Sequence, residues 1–377
     1  MSTATTPASS EIALSGLLVD AGLDAAVLLS PQAFTHTTGL RVPSHTLLPW
    51  RHAAVLVTPE GVQAVLAVDM EATTVAAALP DLPLYVWKEF GGDAMSTLAR
   101  MVTEQLGRGP LRIGWETTFV PVGAAERLRS LLPTVEWDAC EHLVTRARLA
   151  KTPQERDQVV ELVEASDNAL ADTIRDARVG DTEFDLAGRM LGNLHAQGIQ
   201  EHACLIVATG ERSQYPNVGP SERAIGAGDI VRLEIFGGRG GYRAGVARTA
   251  VVGAPTAEAA RLWAVLAEAR EAGMAAIAPG ADPAAVYRAY VDALGPLREY
   301  AIGFFGHGMG LDLHELPYLS GTSTDPLVEG AVLGIEPFTM IPGRFGLQVK
   351  DVVTLTGAGA EVLSRRLDGG TLHVIDG

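Results

Sequence analysis

Two glutamates stand in segments that otherwise read as apolar strands. Glu234 lies in LEIF and Glu336 in GIEPF. A buried carboxylate is costly unless it is paired, so simple surface exposure explains neither residue well. If folding brings the two together, their repulsion raises the proton affinity of one, and Lys350 of GLQVKD could hold the other ionised. The set then predicts acid–base chemistry, in which one carboxyl group donates a proton and the other accepts one.

Lys350 and His307 each allow two interpretations. Lys350 is either a catalytic partner of the glutamates or one half of a buried ion pair that only braces the pocket. His307 lies between glycines in FGHGMG, which indicates close approach of the backbone to a pocket and favours a site role over burial in the core. His202 and Cys204 share one face of a predicted strand, where either could act as a general base, although packing is the commoner role.

Four segments of the second half resemble, in order and interval, the metal-binding motifs of methionine aminopeptidases, prolidases and their relatives. They are GDIVRLEIFGGRGGYRAGVART from Gly228, GHGMGLDLHE from Gly306, GIEP from Gly334 and GLQVKD from Gly346. In the first half the resemblance rests on length and layout. It implies an α+β protein, with an N-terminal creatinase-like α/β domain followed by a C-terminal pita-bread domain similar to methionine aminopeptidase.

The resemblance also shows where the metal ligands of that family are altered. Glu234 stands at the first aspartate, Gly245 at the second and Lys350 at the last glutamate, whereas His307 and Glu336 are retained. Two divalent ions would then face two carboxylates and an ammonium, which cannot balance them. At about 4 Å and an effective dielectric of about 20, an ammonium and a divalent ion repel by roughly 8 kcal/mol. We therefore expect no dinuclear site, and neither metal ligands nor a cofactor are predicted.

The window from Gly228 aligns without gaps with creatinase, the metal-free member of this family. His314 matches the second family histidine, which touches substrate, and Tyr242 matches a motif position that supports the pocket. Asn217 stands at the catalytic histidine of creatinase, either as a substrate-binding amide or as a turn residue. Tyr318 replaces the residue that grips the substrate carboxylate. Arg51 falls where creatinase supplies an arginine from the partner subunit, which implies a two-fold homodimer with shared sites.

The elements that position these residues fall into two groups. Before residue 147, short apolar runs such as AAVLL and QAVLAV alternate with helical stretches, which predicts an α/β domain. Thr152, Pro153 and Glu155 then form a capping-box pattern that predicts the start of a long helix. We place the domain boundary in the charged stretch before it, giving domains 1–147 and 148–377. Later helices and strands occur in clusters, which favours α+β.

Composition excludes several classes of function. The 377 residues carry a net charge of −16, which disfavours binding to nucleic acid or to an anionic membrane surface. No apolar run approaches the roughly 20 residues that span a bilayer. Cys140 and Cys204 lie far apart without the spacing of a metal or redox motif. With no recognisable secretory signal at the start, the sequence favours a cytoplasmic protein.

These observations predict a metal-independent hydrolase of a C–N bond in a small molecule, such as an amide, amidine or cyclic amidine. Its predicted catalytic residues are Glu234, His307, His314, Glu336 and Lys350; its predicted substrate-binding residues are Asn217, Arg51, Tyr242 and Tyr318. One alternative is an Xaa-Pro aminopeptidase-like peptidase, or a lyase, with a single metal on Glu234, His307 and Glu336. The other is a non-catalytic binding protein.

Overall fold

The computed structural model describes residues 8–48 and 50–377, which form two compact units. The first unit ends at Arg148 and the second begins at Leu149, beside the predicted boundary. Among the described residues, no helix combines the length and the apolar character that a membrane span requires.

The described part of the first unit contains a mixed six-stranded sheet covered by helices. Its elements are α1 (Ala8–Ala21), β1 (Ala25–Leu28), α2 (Pro31–Thr38), α3 (Pro43–Leu47), β2 (Ala54–Thr58), β3 (Gly61–Val68), α4 (Ala72–Ala78), β4 (Leu84–Trp87), α5 (Ala94–Leu106), β5 (Leu111–Trp115), α6 (Val122–Leu131), β6 (Val135–Ala139) and α7 (Glu141–Arg148). The strand order is β4-β3-β2-β1-β5-β6. Alternate residues of β1 belong to two different apolar clusters. Both faces of the sheet are therefore buried, which explains the continuous apolar runs of its strands.

A buried histidine of the first unit is expected to make its stability depend on pH. The ring of His45 lies edge-on to Phe34 and Phe119, with centroid distances of 6.1 and 6.4 Å. Burial, opposed in part by a hydrogen bond with the backbone of Leu29, lowers the pKa of His45 from 6.5 to about 4. The unfolded chain therefore binds a proton that the folded chain does not, and stability is lost as the pH falls from 6.5 towards 4.

Compared with His45→Gln, we expect the wild type to lose about 3 kcal/mol more unfolding free energy between pH 7 and pH 4. Urea unfolding at a series of pH values, followed by the fluorescence of Trp115 and Trp137 in the first unit, measures this difference. Parallel pH profiles for the two proteins would contradict the assignment.

The second unit contains two larger sheets, each packed against a pair of helices, and one two-stranded sheet. Its elements are α8 (Pro153–Asp176), α9 (Glu183–Ala196), β7 (Glu201–Thr209), β8 (Ile230–Arg239), β9 (Tyr242–Val252), α10 (Ala257–Ala275), α11 (Pro283–Ala293), β10 (Phe304–Gly308), β11 (Glu315–Ser320), β12 (Val332–Ile335), β13 (Phe338–Met340), β14 (Gly346–Gln348), β15 (Asp351–Thr356), β16 (Gly359–Val362) and β17 (His373–Ile375). One sheet has the order β17-β9-β8-β7 and packs against α8 and α9; the other has the order β11-β10-β12-β15-β16 and packs against α10 and α11. Strands β13 and β14 pair separately.

The predicted start of the long helix is confirmed. The side chain of Thr152 accepts a hydrogen bond from the backbone N–H of Glu155, whose side chain in turn accepts one from the backbone N–H of Thr152. This reciprocal pair satisfies two of the N–H groups that a helix leaves open at its first turn.

Backbone pairing brings the candidate site residues together. Glu234 on β8 lies opposite Ala247 on β9. Ala247 also exchanges backbone hydrogen bonds with Lys350, at 3.2 and 2.9 Å, which places the segment between β14 and β15 beside the first sheet. On the second sheet His307 pairs with Gly334, and the backbone N–H of Glu336 donates to Phe305 at 2.8 Å. The carboxylates, the lysine and the histidine therefore meet where the two sheets adjoin.

Candidate active site

Lys350 bridges the two glutamates in the interior of the second unit. Its Nζ lies 2.5 Å from Oε1 of Glu234 and 3.0 Å from Oε2 of Glu336. The same ammonium sits 4.5 Å from the centroid of the Phe236 ring. The ammonium thus contacts two carboxylates and an aromatic ring, and the side chain is almost completely buried.

Two residues that the sequence analysis did not single out complete this group. Gln348 Nε2 donates to Oε2 of Glu234 at 2.9 Å and to Oε1 of Glu336 at 2.6 Å. Its own Oε1 accepts a hydrogen bond from Nη1 of Arg232 at 2.7 Å. Strand periodicity could have found both, because Arg232 precedes Glu234 by two positions and Gln348 precedes Lys350 by two.

The charges of this group are fixed by mutual contact. Burial alone would lower the pKa of Lys350, but the two carboxylates outweigh it and raise that pKa. Burial likewise favours a higher pKa for Glu336, yet the ammonium of Lys350 and the contact with His307 lower it. Glu336 is therefore ionised at neutral pH.

The two histidines of the predicted site stack on each other, with ring centroids 3.6 Å apart. His307 Nδ1 donates to the backbone oxygen of Gly308 at 2.8 Å, an arrangement that in a neutral ring leaves Nε2 as an acceptor. Within the described part of the chain this buried Nε2 has no hydrogen-bond donor; it lies 3.5 Å from Oε2 of Glu336. Partial burial of the ring, together with His307 and Lys350, lowers the pKa of His314 to about 4, so this ring is neutral at pH 7.

These donors fit a single metal ion. One ligand atom from each of His307, His314 and Glu336 lies within 4.8 Å of the others. In His307, Nε2 has no hydrogen-bond partner in the described residues and Nδ1 donates to a backbone carbonyl. This arrangement is typical of a metal-binding histidine. Glu234, which the sequence placed in a single-metal set, is not one of these three residues; Lys350 and Gln348 contact both its oxygens, as they also contact both oxygens of Glu336. His314 takes its place.

A second ion does not fit the residues present. At Gly245, a Cβ would collide with the backbone oxygen of Ile235 and the Cα of Phe236, so this position has no room for a ligand side chain. Lys350 lies between the two carboxylates that a second ion would need. The donor set therefore fits one divalent ion and excludes two.

A cavity of about 240 Å³ opens onto this group. Glu234, His314, Glu336 and Lys350 line it, together with Asn217. Its apolar wall consists of Ile206, Pro216, Phe304, Leu313, Phe338 and Met340. The space is thus concave and largely apolar, with a few convergent polar groups, as is typical of a site for a small molecule.

Other predicted residues lie elsewhere. Tyr242 donates to Glu155 Oε1 at 2.6 Å and so ties β9 to the start of α8; it does not line the cavity. Tyr318 packs near His314, with ring centroids 6.1 Å apart, and is also outside the lining. Arg51 belongs to the first unit and pairs with Glu89 at 2.9 Å. Its predicted role across a dimer interface stays a prediction.

The two candidate replacements for a general base differ in position. Cys204 lines the cavity, but burial and the charge of Glu234 raise the pKa of its thiol to about 11. The thiol is therefore protonated at neutral pH and is a poor base. His202 is exposed and is not part of the cavity lining.

Comparison with known proteins identifies the relatives of both units. Residues 157–357 match the model of metallopeptidase family M24, and residues 13–150 match the creatinase/prolidase N-terminal domain. "Probable dipeptidase PepE" of Mycobacterium tuberculosis is 30% identical over 361 residues, covering 94% of this chain and 90% of that protein. The Xaa-Pro dipeptidase of Pyrococcus furiosus is 28% identical over 234 residues, covering 61% of this chain and 67% of that protein. The crystal structure of dipeptidase PepE from Mycobacterium ulcerans superposes with a TM-score of 0.85 at 27% identity, covering 98% of each chain.

These comparisons confirm the predicted family resemblance and the α+β fold class of a creatinase-like domain followed by a pita-bread domain. They also confirm the prediction of an enzyme that hydrolyses C–N bonds, since the relatives carry the names of dipeptidases. The prediction of a metal-independent hydrolase is wrong, because the matching family is one of metallopeptidases. The comparisons agree better with the alternative prediction of a metal-dependent peptidase.

Proposed function

The chain belongs to metallopeptidase family M24, and on that premise we propose that it hydrolyses the peptide bond of a small peptide, with one divalent metal ion in each subunit. The observation that carries this proposal is the bare, buried Nε2 of His307 facing Oε2 of Glu336 beside the stacked ring of His314. A single-metal peptidase was the alternative prediction from the sequence, with the ion on Glu234, His307 and Glu336; the proposal here replaces Glu234 by His314.

His307, His314 and Glu336 would hold the ion. It would supply a Lewis acid that polarises the scissile carbonyl and activates water. Oε2 of Glu336 also accepts a hydrogen bond from Lys350, which its two lone pairs allow.

The remaining groups orient the reactants and move the proton. Glu234 is the cavity-lining carboxylate outside the metal-binding set, and Lys350 and Gln348 fix both its oxygens. We assign it the role of general base: it accepts a proton from the attacking water and returns it to the leaving nitrogen. The hydroxyl thus ends on the carbonyl carbon, the hydrogen on the amine, and the C–N bond is broken.

Metal content and peptide turnover test the proposal together. Protein purified without chelators should contain about one divalent ion per subunit by mass spectrometry. A panel of dipeptides, including ones with proline in the second position, should be cleaved, and a chelator should abolish turnover until manganese, iron, cobalt or zinc is restored. His307→Gln should lose the ion, whereas His195→Gln, which alters an exposed histidine of α9 outside the cavity, should keep it. Absence of turnover with every peptide and metal would refute the function; two ions per subunit would refute the single-metal assignment.

We also propose that the enzyme acts in the cytoplasm as a homodimer to which Arg51 contributes across the interface. Support for the location comes from its two cysteines, Cys140 and Cys204, which are both free, as is typical of a protein in a reducing compartment. Support for the dimer is the resemblance to creatinase at Arg51. Sedimentation velocity that gives the mass of a monomer at micromolar concentration would contradict the dimer.

A further inference from the structure

Arg232 is a buried cation in the cavity wall without an ion-pair partner in the described residues. Its side chain is 1% exposed. Its hydrogen bonds go to Oε1 of Gln348 and to the backbone oxygens of Tyr215 and Pro216. Across residues 8–48 and 50–377, its Nε finds no acceptor. These contacts leave the positive charge without a carboxylate to neutralise it directly, which is costly at a buried position.

Two other deeply buried arginines of the second unit differ from Arg232 because each has a carboxylate partner. Arg248 and Arg270 both pair with the buried carboxylate of Asp351, at 2.9 and 2.6 Å. Neither lines the cavity, whereas Arg232 does. The guanidinium without a carboxylate partner therefore lies in the wall of the cavity that a ligand can enter.

The surroundings of Arg232 define what that ligand can be. The cavity wall offers Ile206, Pro216, Phe338 and Met340 as apolar surface. The cavity lining carries two carboxylates and two cations, Lys350 and Arg232, so its formal charges sum to zero. One divalent ion would therefore leave an excess of positive charge. An anionic group on an otherwise apolar residue would match both features.

We propose that Arg232 is a specificity-determining residue that binds a carboxylate of the substrate through a charge-assisted hydrogen bond. This inference rests on the proposed peptidase function and deepens it, since it defines the substrate class as peptides that carry a carboxylate beside an apolar group. The carboxylate can come from the C-terminus of a short peptide or from an acidic side chain. Both sources present the same two oxygen atoms to a guanidinium.

Three substrates separate these sources: alanyl-leucine, its C-terminal amide alanyl-leucinamide, and the α-amide of alanyl-glutamate. The wild type should cleave alanyl-leucine with kcat/KM at least about tenfold above that of alanyl-leucinamide, mainly through KM. If the glutamate amide matches alanyl-leucine, either carboxylate is accepted; if it is as poor as alanyl-leucinamide, only the C-terminal carboxylate is recognised; if it alone is cleaved well, the acidic side chain is the source. Equal kcat/KM for all three substrates would overturn the proposal while leaving peptide hydrolysis established.

Variants assign the preference to Arg232. In Arg232→Met the advantage of the acid over the amide should fall to within about twofold, and Arg232→Lys should retain part of it. Arg239→Met is the matched control, because it makes the same change on the same strand at a residue outside the cavity. An Arg232→Met protein that folds and keeps the full preference contradicts the assignment. If this variant does not fold, the comparison of acid and amide in the wild type still decides whether a carboxylate is recognised.

Binding without turnover separates this proposal from the proposed function. Calorimetric titration of protein as purified should detect N-acetyl-leucine with at least about tenfold higher affinity than N-acetyl-leucinamide, and Arg232→Met should remove that difference. If this result holds while no peptide is cleaved, the carboxylate site stands and the peptidase function fails. If peptides are cleaved while acid and amide bind equally, the reverse is true.

Discussion

Replacing Glu336 by glutamine is expected to lower kcat for peptide hydrolysis by roughly a thousandfold or more and to empty the metal site. Oε2 of Glu336 lies 3.5 Å from the bare Nε2 of His307 and 3.0 Å from Nζ of Lys350. An amide keeps the shape of the side chain but removes the negative charge that both a divalent ion and the ammonium require. It also presents N–H groups where the structure needs acceptors.

The measurement combines steady-state kinetics with metal analysis and thermal unfolding of the same preparations. Glu183→Gln is a suitable control, because Glu183 is also a buried carboxylate of the second unit and binds Thr209, Arg212 and Ser221 away from the cavity. The control should lose stability but keep kcat per folded molecule and its metal. A folded Glu336→Gln protein with near-normal turnover would rule out the site as described.

The local pattern of the sequence predicted much of the fold. The capping box at Thr152 and Glu155 marks the start of α8 because it depends only on residues three positions apart. The continuous apolar runs of the first unit likewise predict strands, since a sheet buried on both faces needs no polar alternation.

The site was predicted less completely, because its contacts join distant parts of the chain. Glu234 meets Lys350 only because both lie beside Ala247, through pairings that no local pattern reveals. Gln348 and Arg232 were not predicted because they meet the rest of the group only in the folded chain. Strand periodicity nevertheless places each of them on the same face as a predicted site residue two positions later. The main prediction from the sequence was a metal-independent hydrolase, with a single-metal peptidase as the alternative, and the match to a metallopeptidase family favours the alternative. The geometry shows which donors fit one ion: ligand atoms of His307, His314 and Glu336 lie within 4.8 Å of one another.

Lys350→Met is expected to lower the free energy of unfolding of the second unit by about 3–5 kcal/mol, because it leaves Glu234 and Glu336 buried without their shared cation. Adding Glu234→Gln to this variant should recover part of the loss, since one uncompensated charge is then removed. Urea unfolding of the wild type, both single variants and the double variant gives the coupling energy between the two residues. Lys151→Met is the control, as it removes a buried ammonium from its pair with Glu315 outside the cavity.

The same cycle decides between the two interpretations of Lys350. Its ammonium contacts Glu234, Glu336 and the ring of Phe236. If Lys350 is a brace, its coupling energy with Glu234 should be large, and Lys350→Arg should keep part of the stability that Lys350→Met loses. Turnover should then depend on whether the two carboxylates keep their positions. As a catalytic partner, Lys350→Met would instead lose turnover without losing stability, and the coupling energy in unfolding would be close to zero. The buried position of the ammonium and its contact with both glutamates favour the first result.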